Sequence, residues 1–308
     1  MTPLDTLRDA GKTGLARALS DIERSPEAPS SVDLLDAAFG QPRGTVIGLT
    51  GPPGVGKSTL IDGLARELRE RALTLGIIAV DPSSKRSGGA LLGDRTRFRI
   101  DPEDRGIFVR SMAARDRLGG VADITYPASV LMRALFDFVI VETVGVGQSE
   151  TAIADQCDLV VLCSQPGSGD ALQFMKAGIM EMPDLVVVTK SDLADLARRT
   201  KADLVGALSI TSGEQRVTEV LSCSASSGEG IGDIVDWITS AATDRAPGRV
   251  ESHRSQARAW VMAYLRDRFG VEGLSRLRFV LPDWRNDAPF GFMADSLVQI
   301  RHNFSVDS

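Results

Sequence analysis

Gly51-Pro52-Pro53-Gly54-Val55-Gly56-Lys57-Ser58 has the spacing Gly-x4-Gly-Lys-Ser of a phosphate-binding loop, and Thr59 follows directly. The residue types match the chemistry at that spacing. Glycines let successive backbone N–H groups curl round phosphate oxygens, and a helix beginning at Ser58 adds partial positive charge at its N-terminus. Lys57 can reach the outer phosphates, and the Ser58 hydroxyl is a hard oxygen donor suited to Mg2+.

Further polar residues fall where predicted strands end. Asp81 closes one apolar run in Asp81-Pro82-Ser83-Ser84, and Glu142 closes another in Glu142-Thr143-Val144-Gly145. Carboxylates at strand ends beside a phosphate loop can hold Mg2+ directly or through water, and the Gly145 N–H can meet a γ-phosphate. Thr189-Lys190-Ser191-Asp192, after a later apolar run, is similar to the guanine-reading pattern Asn-Lys-x-Asp. Asp192 would accept from guanine N1 and N2, and the Lys190 stem would lie over the ring. Thr189 stands where asparagine is usual, so the amide that would brace the phosphate loop is expected to be lost. Ser224-Ala225 fits a second guanine-contacting loop, through the Ala225 backbone N–H. These features favour GTP over ATP. Two glycine-rich segments, 85–97 and 165–178, lie where loops ordered by a γ-phosphate belong.

Elements of alternating type must position these groups. Val46–Thr50 reads as a buried strand, and from Ser58 the apolar residues Leu60, Ile61, Leu64 and Leu68 take up helical spacing. Further strands are predicted at Gly76–Asp81, Ile107–Arg110, Phe138–Glu142, Leu159–Cys163, Leu185–Thr189 and Val217–Cys223. Their continuous apolar character, with helices between, predicts an α/β domain with a doubly wound, mostly parallel sheet and a ligand at the strand carboxyl ends. The domain is placed at 44–243, between a helical N-terminal extension, 1–43, and a C-terminal helix and tail, 244–308. The helix is predicted at Ser255–Phe269, with a loop-rich tail after it. Trp284, Phe290 and Phe292 in that tail are expected either to form a self-association or partner surface or to pack back on the core.

With 308 residues, 43% hydrophobic, the chain can bury a substantial core. A net charge of −6 argues against a general nucleic-acid binder. Cys157, Cys163 and Cys223 lie in or near apolar runs, as reduced, buried thiols would, and His253 and His302 sit far from them. The N-terminus is polar, no run approaches a membrane span, and a cytoplasmic location is expected.

Several segments together resemble a known family. They are Gly51–Ser58, Asp81-Pro82-Ser83-Ser84, Gly93-Asp94-Arg95-Thr96-Arg97, Arg110-Ser111-Met112, Leu118-Gly119-Gly120, Glu142 through Glu150, and Gly169-Asp170 with Leu172-Gln173. They resemble the MeaB/ArgK family of cobalamin (methylmalonyl-CoA) mutase-associated GTPase chaperones, over roughly residues 44–230. The resemblance implies a P-loop NTPase fold of the SIMIBI class and a homodimeric, Mg2+-dependent GTPase cycling between GTP and GDP. Its partner would be an adenosylcobalamin-dependent acyl-CoA mutase, whose cofactor loading it gates, with no tightly bound organic cofactor of its own. Ser58, Asp81, Asp94 and Glu142 would hold Mg2+, and Lys57 and Glu142 would act at the γ-phosphate. Gln148 and Lys176 are the candidates to position the attacking water, because no glutamine directly follows Gly145. Slow unassisted turnover is therefore expected. The tail from Trp284 onward does not resemble the family's helical dimerisation arm. The alternatives are a P-loop GTPase for nickel insertion and a P-loop kinase or transport-associated ATPase.

Overall fold

A computed structural model of the chain describes residues 2–81, 98–113, 124–143, 153–169, 182–211, 218–277 and 287–306. Two compact units emerge. One comprises Met1–Gly44, Tyr126–Leu135 and Gly248–Ser308, and the other Thr45–Thr125 and Phe136–Pro247.

The second unit carries a seven-stranded sheet, β1 (Thr45–Thr50), β2 (Leu75–Asp81), β3 (Ile107–Ala113), β4 (Phe138–Glu142), β5 (Leu159–Ser164), β6 (Leu185–Val188) and β7 (Glu219–Ser222), in the order β3-β2-β4-β1-β5-β6-β7. Every pairing is parallel. The chain order reverses direction on either side of β1, which leaves a crevice at the carboxyl ends of β1, β4 and β5. In the register, Leu49 of β1 and Ala79 of β2 both face Glu142, the last residue of β4, so β1 runs one residue and β2 two residues further.

Side-chain alternation assigns the two faces. Ile47, Leu49, Ile77, Ala79, Ile140, Val161 and Val187 share a core with helices α3 (Lys57–Glu70) and α6 (Ile231–Asp244). Leu162, Val186, Val188 and Val220 point the other way, against Ala197, Leu204 and Leu208 of α5 (Ala194–Thr211). Covering on both faces is why these strands read as unbroken apolar runs. The seven predicted strands are all present, with β3 extended to Ala113 and β7 confined to Glu219–Ser222.

The first unit is helical. It holds α1 (Pro3–Arg24), α2 (Pro29–Phe39), nearly all of α4 (Thr125–Arg133), α7 (Arg249–Leu277) and α8 (Pro289–Val306). Thr2 and Asp5 close a capping box at the start of α1, and Leu4, Leu15, Leu19 and Ile22 form its buried stripe. Two sequence expectations change here. The segment after Pro289 is a helix rather than a loop-rich tail, and α7 is longer than Ser255–Phe269 at both ends. The tail phenylalanines are interior residues: Phe290 and Phe292 are buried, and Phe290 stacks with Tyr126 and meets Trp260 at a ring-centroid distance of 5.5 Å. Burial of a phenylalanine contributes about 1.5–3 kcal/mol, which turns a Gly/Pro-rich approach into an ordered helix. Asp36 of α2 accepts from the Phe290 and Gly291 N–H groups at 3.0 and 2.9 Å, satisfying two otherwise orphaned donors.

Candidate functional site

The loop between β1 and α3 is shaped by backbone that only glycine adopts freely. Gly51 has φ 140° and Gly56, the residue capping α3, has φ 104°. A Cβ on Gly51 would also collide with the Cys163 carbonyl oxygen at the end of β5. The loop therefore lies hard against the neighbouring strand. Lys57 is buried, and its ammonium donates to the Gly51 carbonyl at 2.6 Å and the Pro52 carbonyl at 3.2 Å. Its charge is held over the loop, where a phosphate oxygen would compete with those carbonyls for its protons.

Ser58 lies in the first turn of α3 and donates to Glu142 Oε1 at 3.1 Å. Glu142, at the end of β4, is 1% exposed. Two hard oxygen ligands from adjacent elements thus converge beside the helix N-terminus, and the donor set fits Mg2+. Next to them Thr143 Oγ1 donates to Thr50 Oγ1 at 3.0 Å, tying the ends of β1 and β4. Thr143 and Thr50 had no role assigned from sequence. Their signal there is a hydroxyl ending each of two buried apolar runs.

The segments that follow β6 and β7 meet. Ser224 Oγ donates to Asp192 Oδ1 at 2.8 Å, and the Ser191 N–H bonds the Cys223 carbonyl at 3.0 Å. Ser226, 2.9 Å from Ser224 Oγ, then serves as donor to it, because the Ser224 proton is engaged by the carboxylate. Asp192 is exposed. Ala225 follows the buried Ser224 at the same edge.

Thr189 departs from its expectation. Its hydroxyl lies 2.7 Å from the Val55 carbonyl of the phosphate loop and 3.1 Å from the Ser164 carbonyl of β5. The brace that loss of asparagine was expected to remove is present, made by a hydroxyl. Lys190 has φ 52° and donates to the Gly54 carbonyl at 3.0 Å and to Gln165 Oε1 at 2.7 Å. Gln165 carried no individual role in the sequence reading. Its position directly after β5, opening a glycine-rich segment, was the available cue.

Burial pushes up the thiol of Cys163, with nearby Lys57 pulling the other way, and burial raises that of Cys223 to about 12. Both are inert core sulfurs. Asp81 ends β2, two residues beyond Ala79, in register with Ala113. Asp94, Gly145, Gln148 and Lys176 lie outside the described residues. Lys57, Ser58 and Glu142 stand together at the start of α3, and Thr189, Lys190, Asp192 and Ser224 lie at the ends of β6 and β7.

Residues 15–273 match the family model described as methylmalonyl Co-A mutase-associated GTPase MeaB. The chain is 38% identical over 270 residues to a Caulobacter vibrioides protein described as a GTPase, covering 83% of this chain and 82% of that one. It is 46% identical over 205 residues to the mitochondrial methylmalonic aciduria type A homolog of Mus musculus, covering 65% of this chain and 49% of the relative. With several curated relatives the match spans 62%, 49% and 46% of their length. Among solved structures, one described as LAO/AO transport system kinase is similar with a TM-score of 0.66 and 26% identity, over 98% of this chain and 96% of that one. Phosphate loop, strand-end carboxylate, base-side loops and the match over 15–273 agree, and the chain belongs to the methylmalonyl-CoA mutase-associated GTPase family MeaB.

Proposed function

We propose that the protein is a Mg2+-dependent GTPase that serves an adenosylcobalamin-dependent acyl-CoA mutase, gating cofactor loading and protecting the partner. The observation that carries the hydrolytic half is the convergence of Lys57, Ser58 and Glu142 at the N-terminus of α3. The partner half rests on family membership and on the name of the mouse relative.

In this reading the loop N–H groups from Gly51 to Thr59 hold the β- and γ-phosphates. Lys57 transfers its hydrogen bonds from the loop carbonyls to phosphate oxygens, stabilising negative charge on the leaving oxygen. A bound Mg2+ would supply positive charge to offset that of the phosphates. Ser58 and Glu142 would hold it, with Asp81 and Asp94 contributing from β2 and the segment beyond. Gly145 offers its N–H to the γ-phosphate, and Gln148 or Lys176 orients the water. Asp192, Lys190 and the Ala225 N–H read the base, with the hydrolytic domain at 44–243.

The wider reading has three further parts: a homodimer in which the C-terminal region contributes to assembly, a cytoplasmic location, and no organic cofactor bound by this chain. No described helix is long and apolar enough to cross a membrane.

The decisive experiment measures GTP and ATP hydrolysis with and without a cobalamin-dependent acyl-CoA mutase from the same source. Slow GTP turnover accelerated by the mutase is expected. Turnover indifferent to every such mutase refutes the partner, and faster ATP turnover refutes guanine reading.

A further inference from the structure

Two successive residues leaving β6 fasten two successive residues of the phosphate loop to two successive residues leaving β5. Thr189 joins the carbonyls of Val55 and Ser164, and Lys190 joins the Gly54 carbonyl to the Gln165 amide oxygen. Val55 is fully buried, and Thr189 is 4% exposed. We propose that Thr189 and Gln165 are positioning residues of the nucleotide site: together with Lys190 they form a staple that holds the phosphate loop against β5, and Thr189 makes this tie without reading the base. The inference rests on the guanine-nucleotide reading above.

Proton supply limits what Thr189 can bond. A threonine hydroxyl donates one hydrogen bond. Two carbonyl oxygens, at 2.7 and 3.1 Å, compete for that proton, and neither can donate in return. Guanine presents acceptors at N7 and O6. The hydroxyl has no second proton to offer them, whereas an asparagine amide has two. Selectivity for guanine is thereby left to Asp192 and the Ala225 N–H. Thr189 acts on affinity through the Val55 carbonyl, and its effect is blind to the base.

Gln165 completes the second arm. Its Oε1 is an uncharged acceptor that holds the Lys190 ammonium beside the Gly54 carbonyl, and the positive φ of Lys190 directs the side chain there. Without Gln165 the ammonium keeps one fixed partner and gains solvent. The stem whose position matters for a stacked base is then less constrained.

The test is equilibrium binding of GTP and of 7-deaza-GTP, which lacks the N7 acceptor, to the full chain. It uses wild type, Thr189→Val, Thr189→Ser, Gln165→Met and Asp192→Asn. Thr189→Val leaves a buried carbonyl unsatisfied and is expected to weaken both nucleotides equally, by about tenfold. Thr189→Ser restores both. Gln165→Met weakens both by about two- to threefold; XTP binding is measured alongside as a control, and Asp192→Asn shifts preference toward it, showing that base reading is detected. Unequal loss of the two nucleotides in Thr189→Val, or no loss while GTP still binds to wild type, overturns the staple. Thermal melting separates this from unfolding, and serine rescue keeps the test decisive if the valine variant is unstable. A wild-type chain that binds neither GTP nor GDP refutes the guanine-nucleotide reading itself, and the inference falls with it.

Discussion

Lys57 is a buried cation whose bonds run to the two backbone carbonyls of its own loop. A neutral truncation there removes the charge held over the phosphate loop. Lys57→Ala is expected to abolish measurable GTP binding while leaving the fold intact, checked by titration with a fluorescent guanine nucleotide alongside circular dichroism. Unchanged affinity refutes the proposed role. The two core thiols make a prediction in pH. Burial raises the Cys163 and Cys223 thiols above their ordinary 9.0, so on unfolding they ionise more readily than in the native chain. Their contribution to stability is complete below about pH 9 and declines as pH rises from there toward 12, by at most about 1.4 kcal/mol per pH unit for each thiol. Denaturant midpoints of wild type and Cys223→Ala should therefore converge between pH 8 and pH 10.5. Parallel midpoints across that range contradict the assignment.

At the scale of elements, the strands and the loop-to-helix turn follow from local pattern, because apolar runs and glycine spacing are contiguous in sequence. The helix α8 does not. Its first turn is held by Asp36, which is 254 residues away from Phe290 in the chain, and its aromatic face is buried against residues from other segments of the same unit. Read alone, Pro289-Phe290-Gly291-Phe292 signals a loop. Removing the cap exposes that dependence: Asp36→Ala is expected to lower stability by about 1 kcal/mol, measured as a shift in denaturant midpoint, with Asp36→Asn recovering much of it. An unchanged midpoint means that aromatic packing alone fixes the helix.

For the whole molecule, the ends of the chain share one unit with a piece of its middle. Met1–Gly44 and Gly248–Ser308 join Tyr126–Leu135, so nearly all of the crossover helix α4 between β3 and β4 belongs to a different unit from the sheet it connects. Sequence division at 44 and 243 marks where the βα alternation begins and ends. It does not reveal which flanking segments come together, because that is decided by contacts between residues more than a hundred positions apart. If the protein serves a mutase, its turnover is a property of the complex. Single-turnover GTP hydrolysis should rise on adding the partner mutase and be lost with Lys57→Ala in the same mixture.

The parallel sheet, the Gly-x4-Gly-Lys-Ser loop and the carboxylate that ends β4 were legible in the chain alone, because each is written in a few adjacent residues with a fixed spacing. Tertiary structure decided how those pieces touch. That Thr189 can replace asparagine as a brace depends on the Val55 carbonyl being 2.7 Å away. That Gln165 matters at all depends on β5 and β6 ending side by side, with Ser164 in register with Val188. A hydrogen bond is a matter of a few tenths of an ångström between residues distant in the chain. Local pattern names the residues that can form it, and the packed sheet chooses which of them do.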